Sequence, residues 1–102
     1  MESQTQSVQG VRVRLTDERW EHIVAQHTEM LHSRDFLLKV VAAPEVVYEG
    51  PAGECLAVKE LKPGLWAVVV YRIGPPLEDG FIITAYMTSR RRALDRWRVL
   101  WP

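Results

Sequence analysis

The chain has 102 residues, 47% hydrophobic and 25% charged, and its 13 lysines and arginines balance 13 aspartates and glutamates. That length holds one compact domain, that apolar share excludes intrinsic disorder, and zero net charge excludes a protein that grips nucleic acid through an overall positive field. A single cysteine, Cys55, excludes an internal disulfide and a cysteine-built zinc cluster, and fits a reducing cytoplasm.

Residues 1–10, MESQTQSVQG, are polar and lack the apolar stretch of a signal peptide. They are expected to form a flexible tail, leaving residues 11–102 as the domain. No apolar run is long enough to span a bilayer, so no membrane is expected as a partner. VRVRL, residues 11–15, alternates in the manner of a short edge strand. Thr16 then offers a helix cap, with Asp17 and Glu18 in the first turn where the helix dipole favours anions. The helix is expected to run from about 17 to 27. At about 100 degrees per residue, Trp20, Ile23, Val24 and His27 share one face and His22 lies nearly opposite. After the polar break HTEMLHS, Ser33 caps a second expected helix through Ala43, striped by Phe36, Leu37, Val40 and Val41 and stopped by Pro44.

The period then changes. EVVYEG, ECLAVKEL, LWAVVVYRI and FIITAYMT are rich in β-branched and aromatic residues and are separated by PAG, KPG and GPPLEDG, which are turn or loop signals. Four consecutive strands on short links imply an antiparallel meander. SRRRALDRW, residues 89–97, is expected to form a short final helix with Ser89 as its cap. Helices before sheet is the α+β pattern: one or two N-terminal helices packed on a four-stranded antiparallel β-sheet.

Alternation puts Trp66, Val68, Val70 and Arg72 on one sheet face and Ala67, Val69, Tyr71 and Ile73 on the other. In the last strand Thr84, Tyr86 and Thr88 oppose Ile83, Ala85 and Met87. The apolar face takes the helices; the mixed face stays open. If the strand registers coincide, hydroxyls at alternating positions, an arginine on the neighbouring strand and the arginines after Thr88 make an anion-binding concavity. Arginine matches phosphate oxygens and threonine or tyrosine hydroxyls donate to them. The charge is gathered for it: residues 90–98 hold five arginines and one aspartate, against six acids and three bases over residues 29–60. The plainer reading is a solvated basic surface with structural ion pairs, and threonine and tyrosine as good strand formers.

RWEHIVAQHTEM on a capped helix, a second helix ending before PEVVYEG, and a meander finishing in GFIITAYMTSRRR resemble the small bacterial and phage nuclease-like domains of the barnase/EndoU/colicin/RelE (BECR) superfamily. The resemblance covers roughly residues 12–92. Its motifs are a helical HI followed by a second histidine near a glutamate, and TAYxT in the last strand. It implies RNA or tRNA cleaved on or beside the sheet without a metal or other cofactor, the ribose 2′-hydroxyl attacking the adjacent phosphate. The function so implied is a toxin-like or phage-associated endoribonuclease, which a cognate antitoxin or immunity protein would restrain.

Histidine titrates near neutrality and suits acid–base work. His27 matches the family's second helical histidine and His22 its HI position, each with an ordinary alternative: a core histidine bonded to backbone for His27, a solvated one for His22. His32 lies in the polar break. No pair forms HExxH, and no metal site is expected. Arg72 would offset charge building on the phosphate, with Thr88 as the preferred hydroxyl. Thr84, Tyr86, Arg90 and Arg91 would bind substrate, Tyr86 by stacking on a base. Arg92 and Arg96 would follow the RNA backbone or pair with acids such as Glu29. Glu60 is the one candidate glutamate base on a strand. A second class of function, a non-catalytic binding module of the same fold, follows from Trp66, Trp97 and Trp101, since interfaces favour tryptophan, tyrosine and arginine. Its partner would be an antitoxin-like protein or a second copy of the chain. A small-molecule enzyme has no supporting motif.

Overall fold

The computed structural model describes residues 2–30, 33–74 and 79–102. Its strands are β1 (Glu2–Gln6), β2 (Arg12–Thr16), β3 (Val46–Glu49), β4 (Cys55–Lys62), β5 (Leu65–Ile73), β6 (Gly80–Thr88) and β7 (Arg98–Trp101). The helices are α1 (Asp17–Gln26) and α2 (Arg34–Ala42), with short 3-10 turns at Thr28–Met30 and Arg91–Leu94. All strands join one sheet in the order β1-β2-β6-β5-β4-β3-β7. The four-stranded antiparallel sheet expected from the sequence is therefore corrected to seven strands and a mixed sheet, because β2 runs parallel to β6.

Local chemistry accounts for the helices. Thr16 caps α1, its Oγ1 accepting from the Arg19 N–H at 3.1 Å. Ser33 stands at the α2 cap position without a side-chain cap bond, so Pro44 and packing set that helix's limits more than its start signal does. Ile23 of α1 and Leu37, Val40 and Val41 of α2 are buried against Ala57, Ala67, Val69 and Tyr71 of the sheet. β5 is apolar almost throughout because both of its faces are covered.

Two strands escape the sequence pattern. Residues 2–6, expected as a flexible tail, form β1, paired antiparallel to β2 from Glu2↔Thr16 to Gln6↔Arg12. The hairpin between them closes on Ser7, which exchanges backbone bonds with Val11 and Gly10. β7 pairs antiparallel with β3 although its residues are all exposed. The expected terminal helix capped by Ser89 is a single 3-10 turn, Arg91–Leu94. Gly80 is needed where β2 meets β6: a Cβ there would stand 3.0 Å from the Arg72 carbonyl oxygen and 3.2 Å from Val13 Cγ2.

Candidate functional site

The β5–β6 register decides what the outer face, away from the helices, presents. Val70, Val68 and Trp66 pair with Thr84, Tyr86 and Thr88, and cross-strand partners point to the same side of a sheet. A register shift after Val70 skips Ile83 and then pairs Tyr71 with Ile82 and Arg72 with Phe81. Such a bulge turns two successive residues toward one face. Ile83 therefore packs in the outer cluster with Val68, Val70 and Tyr86, and not with Ala85 and Met87 as strict alternation predicts.

Topology then covers part of this face. β6 ends at Thr88, yet β5, β4 and β3 stand between it and β7, so residues 89–97 must cross the sheet. The helices hold the other face. Thr88 Oγ1 accepts from the Arg90 N–H at 3.0 Å and turns the chain. Leu94, 5% exposed, plants the crossing segment among Tyr48, Leu56, Val58, Val68 and Val70. Arg91 is fixed there: its Nη1 donates to Asp95 at 2.9 Å, its guanidinium lies 5.5 Å from the Tyr48 ring centroid, and the Tyr48 hydroxyl donates to the same carboxylate at 3.3 Å.

Between segment and sheet lies a cleft of 320 Å³, with Glu54, Tyr86, Thr88, Arg90, Arg96 and Trp97 in its lining. Arg96 sits 4.6 Å over the Trp97 ring. Burial pushes the Tyr86 hydroxyl up from its ordinary range, and the Arg96 charge pulls it partly back. The His27 ring ends α1 at 6.1 Å from the Tyr86 ring, centroid to centroid. Its Nδ1 faces Glu29 at 3.6 Å, which leaves Nε2 as the nitrogen for another partner. Comparison with known proteins finds no matching family model, no similar curated protein and no similar solved structure.

Of the residues singled out in the sequence, Tyr86, Thr88 and Arg90 line one cleft and His27 adjoins it. Thr84 and Arg72 share the face without lining the cleft; Arg72 follows Val70, and its Nη2 donates to the Ala52 carbonyl at 3.1 Å. Arg91 is held by Asp95. His22 is exposed and lines a separate polar hollow of 290 Å³ with Thr16, Glu18 and Arg19, so it is not brought to the cleft. His32 lies outside the described residues. Glu60 accepts from Gly64 N–H at 3.4 Å and belongs to the β4–β5 turn. Glu29 pairs with His27 and not with the C-terminal arginines.

The carboxylate that sequence reading missed is Glu54. Its signal is its place in the alternating set Glu54, Leu56, Val58, which shares the Val70 face. Its Oε1 accepts from the Ala52 N–H at 2.8 Å, which anchors it at the cleft rim. Among the described residues no three His, Cys, Asp or Glu side chains gather as a metal ion requires, and no helix is long and apolar enough to cross a membrane. Chemically, two arginines, a hydroxyl and a carboxylate beside two aromatic rings and a neighbouring imidazole are groups able to hold an anion and to exchange protons.

Proposed function

We propose that the protein is a metal-independent endoribonuclease whose substrate phosphate lies in the outer-face cleft. One observation carries the reading: the cleft gathers Arg90, Arg96, Thr88 and Glu54 around a space of 320 Å³, with His27 beside its Tyr86 wall. Neither arginine meets a carboxylate within ion-pair distance among the described residues, so both charges remain for a phosphate. The resemblance of TAYMT and the helical histidines to BECR nucleases supports the same chemistry, and cytoplasmic RNA or tRNA is the substrate class.

In this reading Glu54 accepts the proton of the ribose 2′-hydroxyl as that oxygen bonds to phosphorus. The bond from phosphorus to the 5′-oxygen breaks, and His27 gives the leaving oxygen its proton through Nε2. Arg90 and Arg96 hold the non-bridging oxygens as charge builds. Thr88 accepts from Arg90 N–H with a lone pair and keeps its own proton for a phosphate oxygen. The products carry a 2′,3′-cyclic phosphate and a 5′-hydroxyl.

The test is incubation of total RNA and a tRNA pool with the native protein in chelator, beside His27→Ala, Arg90→Ala and Glu54→Gln. Cleavage by the native protein alone, with cyclic-phosphate ends, is the expected result. RNA left intact by the native protein refutes the reading.

One observation favours a second reading, a protein-binding module. Val99, Leu100 and Trp101 are 51%, 40% and 36% exposed on β7, the edge strand beyond β3. An apolar edge invites a partner strand, and an antitoxin or immunity protein would add one there. Leu100→Lys, which charges that edge, is expected to abolish such a complex and to leave RNA cleavage intact.

A further inference from the structure

A second part of the outer face is not covered by the crossing segment. At the far end of β6, Phe81 pairs with Arg72 on β5 and with Arg14 on β2, and Arg14 pairs in turn with Gln4 on β1. Side chains in one such row stand side by side on one face. Val13 and Leu15 are buried in the helix-side core, so Arg14 between them faces outward, as does Arg72 after Val70. Phe81 is 45% exposed, an aromatic ring on an open sheet between two arginines.

The charge around that ring is positive. Asp79 binds Arg14 and lies 3.6 Å from Arg12, so one carboxylate serves two arginines. Arg72 donates to a backbone carbonyl, which leaves its charge unbalanced. A ring flanked by guanidinium groups attracts a flat base stacked on its face and a phosphate at its side. Phe81 and Tyr86 lie five positions apart with one bulged residue between them, hence about 13 Å along the strand. Bases stacked in a strand are spaced about 3.4 Å apart, so Phe81 lies several nucleotides from the cleft phosphate.

We infer that Phe81, with Arg72 and Arg14 beside it, is a stacking subsite for an unpaired base of the strand held in the cleft, and that the substrate is single-stranded RNA several nucleotides long. The inference rests on the cleft as the phosphate site and adds the register of the bound strand. Arg72 is then a binding residue of the outlying nucleotide and does not touch the reacting phosphate.

The experiment measures binding, with uncleavable 2′-O-methyl RNA of two and of six nucleotides labelled for fluorescence anisotropy. The proteins are the native chain, Phe81→Ala, Phe81→Trp and Arg90→Ala. The expected result is that the native chain prefers the hexanucleotide. Phe81→Ala lowers that preference by about ten- to a hundredfold, the usual weight of one aromatic stack, and Phe81→Trp restores it, which damage to the fold would not allow. An unchanged preference in Phe81→Ala, with Arg90→Ala weakening both lengths, overturns the subsite and leaves the cleft standing. A native chain that binds neither length overturns the cleft and the subsite together, and points to a protein as the ligand of this face.

Discussion

Replacing Leu94 by alanine tests the feature on which the cleft depends, the docking of the crossing segment. Leu94 is 5% exposed and packs on Tyr48, Leu56, Val58, Val68 and Val70. The substitution removes three buried carbons, worth about 0.8 kcal/mol each in transfer free energy, or about 2.4 kcal/mol. A rigid site adds a cavity cost that carries such losses to about 5 kcal/mol. Here the cover is one 3-10 turn, which can settle inward, so the loss is expected near the lower figure. For a chain of this size that lowers Tm by about 10 °C or more. Urea unfolding followed by tryptophan fluorescence measures it, with Arg92→Ala, an exposed position on the same turn, as the control. RNA affinity is expected to fall with stability in Leu94→Ala, because Arg90, Arg96 and Trp97 ride on the same segment. A loss below about 0.5 kcal/mol, the range of ordinary surface changes, refutes the packing and with it the cleft.

Three further outcomes are expected. Arg96→Ala weakens RNA binding and reduces the slope of log affinity against log salt by about 1, as loss of one phosphate contact requires; titrations at several salt concentrations measure it, and an unchanged slope removes Arg96 from the phosphate path. Stability is expected to fall in alkali: burial pushes up both the Cys55 thiol and the Tyr71 hydroxyl, Tyr71 donating to Gln9 Oε1 at 3.0 Å. Both groups are neutral when protonated, so their contribution is whole below the thiol's ordinary 9.0 and the phenol's ordinary 10.0 and is lost as pH rises toward the folded-state values. Urea midpoints that stay level up to about pH 10.5 would contradict this. Gly64 turns the chain from β4 to β5 at φ 81°, and a Cβ added there would meet nothing within 4 Å, so Gly64→Ala carries only the left-handed backbone cost of about 1–2 kcal/mol, read by the same urea assay.

Much of the helical layer is legible in the sequence because its signals are local. Thr16 bonds its own helix, and Ile23, Leu37, Val40 and Val41 bury on the stripes that a period of 3.6 gives. The faces of β5 are legible for the same reason at a period of two. β1 is not: ESQTQ has no apolar stripe, and its order comes from the ladder that β2 offers. β7 is hidden by its arginine-rich approach and by a pairing with β3, some fifty residues earlier. The bulge at Ile83 escapes any strictly alternating pattern, since it is defined by the partner strand. At the site, Tyr86, Thr88 and Arg90 can be read from one strand and its end. Glu54 cannot, and Arg96 reads only as a cation along the RNA backbone, because the two meet only when β7 takes the far edge and pulls residues 89–97 across the sheet.

The same crossing explains how a chain of zero net charge presents a cationic face. Several other arginines meet a carboxylate: Arg34 has Asp17 at 2.7 Å, Arg91 has Asp95 at 2.9 Å, Arg98 has Glu49 at 3.9 Å, and Arg12 and Arg14 share Asp79. Arg72, Arg90 and Arg96 meet no carboxylate at such distances among the described residues, and all three belong to the outer face or to the segment that crosses it. Screening acts over about 8 Å at physiological salt, so a ligand on that face feels these three charges more than the balanced total. Net charge thus excludes a general polyanion binder but not a local phosphate site, and local charge is what the cleft and the Phe81 row require.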